Sequence, residues 1–193
     1  MPLRNTAHGY GVITRALHWI VFAAFAYQFV GANLMTRIGR GTTVVGMNQD
    51  ALYNWHKSIG LVLLGLAFAR ITWRRTAGLP DWSDALLPAE RTLVHRLETL
   101  MYLLMFALPL TGYLFVTSGG YGVKLFGEWD LPAPFGKNES LAVTARYAHV
   151  LLSYLAVIVI SWHVGMGLRK QFVDGARYLQ RMAPFGDRRS LHR

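Results

Sequence analysis

Four long apolar runs, at 19–34, 59–73, 100–116 and 150–168, constrain this chain more than any other feature of it. A helix rises about 1.5 Å per residue, so roughly 20 residues cross the about 30 Å of hydrocarbon in a bilayer. Extended by flanking residues of mixed polarity, the runs predict helices over 14–36, 52–74, 92–117 and 141–169. The second run is the shortest and needs Tyr53 to Ile59 inside its helix. Inside lipid every backbone N–H and C=O must be paired within the protein, which helices achieve on their own. The expectation is therefore all-α: a bundle of four transmembrane helices forming one membrane domain over 1–193, with a tail over 170–193. Four buried helices of a soluble protein are the alternative, but 53% hydrophobic and 16% charged residues are too apolar a balance for one.

Between the runs lie the punctuating residues of loops. The segment 37–49 has three glycines, 74–90 has Pro80 and Pro88, and 118–140 has Gly119, Gly120, Pro132 and Pro134. The polar N-terminus runs into the first apolar stretch without a small-residue cleavage site, so that stretch is read as a retained helix. Pro109 falls inside the third helix, where it removes one backbone hydrogen bond; it reads as an ordinary membrane-helix proline, with Thr111 or a neighbouring helix on hand for the freed carbonyl.

A net charge of +10 would suggest nucleic acid in a soluble protein. Here the positive charge is sorted by loop, as in a membrane protein, and no nucleic-acid partner is expected. Arg4 and Arg15, then Arg70, Arg74, Arg75, Arg91 and Arg96, then seven basic residues from Arg169 onward fall on one side. Arg37, Arg40, Lys57, Lys124, Lys137 and Arg146 fall on the other. The positive-inside rule then places both termini in the cytoplasm.

Four of the seven histidines lie within the apolar helices: His18, His56, His149 and His163. Ionisable groups are costly in a membrane and mark functional sites by default. His149 and His163 are 14 residues apart, which is about 21 Å of helix and leaves their directions only about 40° apart. Both can face a bundle interior at two depths. Chain direction puts His18 level with His163 on the cytoplasmic side and His56 level with His149 on the periplasmic side, and this pairing survives inversion of the topology. Two imidazoles facing at one depth make a six-coordinate haem iron site that exchanges electrons and leaves no vacant position for a substrate. Zinc would be two ligands short at each level. With no cysteine in the chain, covalent haem attachment, iron–sulfur clusters and disulfides are excluded. The expected cofactors are two non-covalent b haems, with the four histidines as iron ligands.

The order Arg15-Ala16-Leu17-His18-Trp19, Trp55-His56-Lys57-Ser58-Ile59-Gly60, Arg70-Ile71-Thr72-Trp73-Arg74, Ala107-Leu108-Pro109-Leu110-Thr111-Gly112 and the His149/His163 pair resembles the bacterial cytochrome b561 family of inner-membrane di-haem proteins. The resemblance covers the chain from about Tyr10 to Met182. It implies a bacterial inner-membrane location, the same four axial ligands and quinone-linked electron transfer. Some members look like superoxide:ubiquinone oxidoreductases. Where some relatives look histidine-rich beyond the last ligand, this chain has Arg169 and Lys170.

Arg15, Lys57, Arg70 and Arg146 flank the ligands and are candidates for haem propionate contacts or, equally, for lipid headgroups. His95, Arg169 and Lys170 are candidates for a quinone site on the cytoplasmic side, and Lys57, Lys124, Lys137 and Arg146 for steering a small anion on the other. Trp19, Tyr27, Trp55, Trp73, Trp129 and Trp162 suit interfacial belts or haem packing, whereas His8 and His192 read as solvated tail residues. Three functions remain open at this point. One is an oxidoreductase passing electrons between quinone and a periplasmic one-electron partner, superoxide or a redox protein. The second is a haem-bearing anchor for a separate dehydrogenase or hydrogenase subunit, and the third a haem-free transporter or scaffold.

Overall fold

A computed structural model describes residues 2–39, 41–176 and 178–183. Arg40, Arg177 and the arginines beyond 183, counted above for orientation, lie outside the described residues, as does His192. Four helices occur in the expected order: α1 (Val12–Arg37), α2 (Gln49–Ala77), α3 (Pro88–Ser118) and α4 (Glu139–Phe172). Each outruns its apolar stretch because polar residues close its ends. Asn48 accepts the Ala51 N–H at 2.9 Å to start α2, and Asn138 accepts the Leu141 N–H at 3.0 Å to start α4. In α3 Pro88 opens the first turn and Glu90 reaches back to the Leu87 N–H at 2.9 Å. Arg74 and Arg75 in α2, and Arg169 and Lys170 in α4, lie in last turns, where the helix dipole favours cations.

Three helices, α1, α3 and α4, are long and apolar enough to cross a membrane. α2 has the length, 29 residues, but Asn54, His56, Lys57, Arg70, Arg74 and Arg75 make it less apolar. The side chains turned outward are those lipid would accept: on α4, Leu151, Tyr154 and Ile158 are 70%, 65% and 60% exposed.

The all-α expectation needs one addition. In the 118–140 segment, β1 (Val123–Leu125) pairs antiparallel with β2 (Trp129–Leu131), Val123 opposite Leu131 and Leu125 opposite Trp129. The turn has Phe126 at φ 52° and Gly127 at φ 83°, closed by the Glu128 N–H on the Leu125 carbonyl at 3.1 Å. Two positive φ values in sequence suit the right-handed twist of a hairpin, but the first normally falls on Gly, Asn or Asp. Phenylalanine is held there from outside: its N–H donates to the fully buried Ser58 Oγ at 2.7 Å, and its ring meets the Trp55 ring edge-on at 5.6 Å.

The chain gathers into two compact units. The first comprises the described residues of Met1–Ile20, Phe68–Leu103 and Leu155–Arg193; the second comprises Val21–Ala67 and Leu104–Tyr154. Every helix gives one end to each unit. The first unit takes the starts of α1 and α3 and the ends of α2 and α4, the alternation expected of a chain that turns back after each helix.

Candidate functional site

Each unit holds one pair of the intrahelical histidines. In the second unit His56 of α2 faces His149 of α4, ring centroids 6.3 Å apart and planes at 84°. In the first, His18 of α1 faces His163 of α4, again at 6.3 Å, with planes at 55°. Two imidazole nitrogens directly hydrogen-bonded to each other would bring the centroids to about 5.2 Å, given a ring radius of about 1.1 Å and an N···N distance of about 3 Å. Two imidazoles binding one metal ion from opposite sides, each at about 2.0–2.1 Å, stand about 6.3 Å apart. Both spacings fit the second arrangement. Among the described residues no three of His, Asp and Glu come together, so each pair could offer a metal two protein ligands, which suits a centre whose remaining ligands come from a macrocycle.

α3 orients the second-unit pair. The His149 Nδ1 lies 2.9 Å from the Leu108 carbonyl. A carbonyl only accepts, so Nδ1 carries the proton and Nε2 keeps its lone pair for a metal. The Thr111 hydroxyl lies 3.3 Å from the same nitrogen and itself donates to the Ala107 carbonyl at 2.7 Å. Gly112 gives the ring room, since a Cβ there would come within 3.0 Å of His149 Cε1. On the other side, Gln28 of α1 donates its Nε2 to the His56 carbonyl at 2.9 Å. Two complementary buried atoms, Gln28 Oε1 and His56 Nδ1, make no hydrogen bond within the described residues.

The first-unit pair has a different setting. The Arg70 guanidinium of α2 reaches the His18 Nδ1 at 3.4 Å and lies over the Tyr102 ring at 5.5 Å. A guanidinium can only donate, so this contact belongs to the tautomer with its lone pair on Nδ1. Were an iron held through Nε2, the proton would sit on Nδ1 and the guanidinium would turn to another acceptor. One turn along α2, Arg74 pairs with Glu98 and lies 5.6 Å from the centroid of the same Tyr102 ring. Trp73 Nε1 donates to Thr14 Oγ1 at 2.9 Å, and Trp19 Nε1 to the Met182 carbonyl at 2.7 Å, fastening the polar ends around the pair.

The remaining candidates scatter. Arg15 is buried and donates to the Ala183 carbonyl at 3.0 Å. Lys57 donates to the Gly122 carbonyl at 3.4 Å, and Lys124 pairs with Asp130 at 3.4 Å, while Lys137 and Arg146 are exposed. His95 is exposed on α3. Lys170 is buried, its Nζ 2.8 Å from both Glu90 and Asp174, so it ties the end of α4 to the start of α3. Arg169 lies 3.8 Å from Asp174. The hydrogen bond from Lys170 holds the Asp174 carboxyl below the usual carboxylate range.

Reading residue types along the chain missed the Leu108 carbonyl, the Gly112 clearance, Gln28 and the Ser58 clamp. A glycine four residues after a carbonyl, beside a proline, was the available signal for the first two.

The family described as prokaryotic cytochrome b561 matches residues 9–185. The chain is similar to cytochrome b561 homolog 2 of Escherichia coli (strain K12), with 30% identity over 191 residues that cover 94% of this chain and 95% of that protein.

Proposed function

Because the chain belongs to the prokaryotic cytochrome b561 family, whose members are membrane proteins that bind haem b, we propose that it is a di-haem cytochrome exchanging electrons between the quinone pool and a periplasmic one-electron donor. The observation that carries this reading is the repeated histidine pair, 6.3 Å between rings in both units. His18 with His163 would hold one haem and His56 with His149 the other. Haem, when bound, supplies one-electron chemistry, cycling its iron between ferric and ferrous. Family membership also sets aside the haem-free transporter.

We read α2 as the fourth crossing: at about 1.5 Å per residue, 29 residues span more than a bilayer, and its charged residues sit toward the ends. Loop charge supports cytoplasmic termini in a bacterial inner membrane. The His18/His163 pair is then inner and the His56/His149 pair outer. Arg70 and Arg15 would meet propionates of the inner haem, and Lys57 and Arg146 those of the outer. Outside, Lys57, Lys124, Lys137 and Arg146 would draw a small anion such as superoxide by electrostatic steering. Inside, the exposed His95 and Arg169 are the quinone-facing candidates, with Lys170 engaged by Glu90 and Asp174. Each superoxide oxidised to dioxygen yields one electron. Two are consumed per ubiquinone, which takes up two protons to become the quinol.

Purified protein is expected to yield two extractable haems per chain, to be reduced by superoxide, and to pass electrons on to ubiquinone. One or no haem per chain would overturn the di-haem reading. Reduction only after a dehydrogenase or hydrogenase subunit is added would make the chain an anchor instead.

A further inference from the structure

The two histidine pairs share one spacing and differ in the charge beside them. His149 has a neutral partner, the Leu108 carbonyl at 2.9 Å. His18 has a cation, the Arg70 guanidinium at 3.4 Å. Arg70 is half-buried, and no carboxylate pairs with it among the described residues, because nearby Glu98 is paired with Arg74. Tyr102 holds it from the side, ring centroid 5.5 Å from the guanidinium carbon. Among the described residues no basic side chain hydrogen-bonds either imidazole of the outer pair: Lys57 keeps its charge but donates to the Gly122 carbonyl, and Arg146 is exposed.

These two settings push an iron centre in opposite directions. A ligand imidazole whose N–H donates to a carbonyl becomes more basic and favours the ferric state. A fixed positive charge near the iron favours the ferrous state, which carries one positive charge fewer. With Nδ1 protonated the guanidinium turns to an acceptor such as a propionate, and the sign is unchanged, since removing it leaves that carboxylate unneutralised.

We propose that Arg70 orders the two haem potentials, holding the inner haem above the outer one so that electrons arriving outside run inward. This rests on the di-haem reading above. A unit charge some 7–8 Å from the iron, at an effective dielectric near 20, changes the ferrous-to-ferric ratio by about tenfold or more.

The test is a redox titration of the full-length protein in detergent with both haems bound, the outer component being the one lost in His149→Ala. Arg70→Gln should lower the inner component by about tenfold in electron affinity, about 59 mV for one electron, and move the outer by less than a third of that. Arg70→Lys, which keeps the charge, should retain most of the gap. Glu98→Gln, which unpairs Arg74, should move the inner component upward. Should Arg70→Gln lose the inner haem, Arg70→Met, equally neutral but closer in shape to arginine's apolar stem, decides in its place. The proposal is overturned if Arg70→Gln moves neither component or both equally, if Arg70→Lys falls as far as Arg70→Gln, or if Glu98→Gln fails to raise the inner component. A count of one haem per chain would instead defeat the di-haem reading itself, and two haems with unmoved potentials would defeat only the role of Arg70.

Discussion

The two histidine pairs, His56/His149 and His18/His163, proposed above as outer and inner, have the same 6.3 Å gap and reach it by different means. The outer pair is built from backbone and clearance: the Leu108 carbonyl fixes the tautomer of His149, Gly112 admits its ring, and Gln28 holds the carbonyl of His56. The inner pair is built from side chains near a polar boundary, with Arg70, Tyr102, Trp73 and Trp19 arranged around it. An identical ligand spacing therefore does not imply an identical electronic setting. The difference follows from position, since arginine is tolerated near the end of α2 and is costly deeper in a membrane.

The strongest way to break the comparison is to remove a ligand. Replacing His56 or His149 by alanine is expected to take the haem count per chain from two to one and spare the inner haem, and replacing His18 or His163 to do the reverse; pyridine haemochrome assay with difference spectra reads this. If His18 and His56 variants disturb the same haem, the pairing is wrong. A smaller effect is expected of Gly112→Ala. Its Cβ would press on His149 at 3.0 Å from Cε1, and overpacking of this kind costs about 1–3 kcal/mol. Thermal melts followed at the outer haem should shift down while those at the inner haem stay in place.

Smaller again is Ser58→Ala, which deprives the Phe126 N–H of its acceptor at 2.7 Å. Water can partly replace it at an exposed turn, so about 1 kcal/mol is expected, the low end for an orphaned donor. Hydrogen exchange at Phe126 should speed up, with the inner side unaffected. The smallest effect belongs to the inner side. Asp174 is held below the ordinary carboxylate value of 3.8 by Lys170, so its contribution is present above that pH and is lost as pH falls through the lowered value. Asp174→Asn should flatten the acid limb of a stability profile below about pH 4 and leave the neutral range unchanged. An unchanged acid limb would mean that this ion pair contributes no pH dependence.

Helix number, helix order and which histidine approaches which were legible because each follows from a periodicity: an apolar run long enough for lipid, a rise per residue, a rotation per residue. Helix ends were placed short by one to four residues, since Asn48, Pro88 and Asn138 cap turns that hydropathy does not register. Lys170 illustrates a second limit. A basic residue beyond the last ligand suggested a donor for quinone, and only the fold brings Glu90 from α3 and Asp174 from the next turn to 2.8 Å of it. The hairpin was hidden for another reason. Phe126 at φ 52° breaks the residue preference by which such turns are recognised, and the Ser58 hydroxyl that holds it is 68 positions away.

The acceptor that orients His149 belongs to the main chain of α3. Every amino acid that might stand at position 108 brings the same carbonyl, so mutation can drift through that site without touching the bond. Comparison of homologous sequences would find no invariant polar partner for this ligand and would score the position as ordinary lipid-compatible helix. Its inheritance is carried instead by the neighbours that shape the backbone and keep it clear, Pro109 and Gly112, and the natural variants that disable the outer centre without altering a ligand should collect at those two residues.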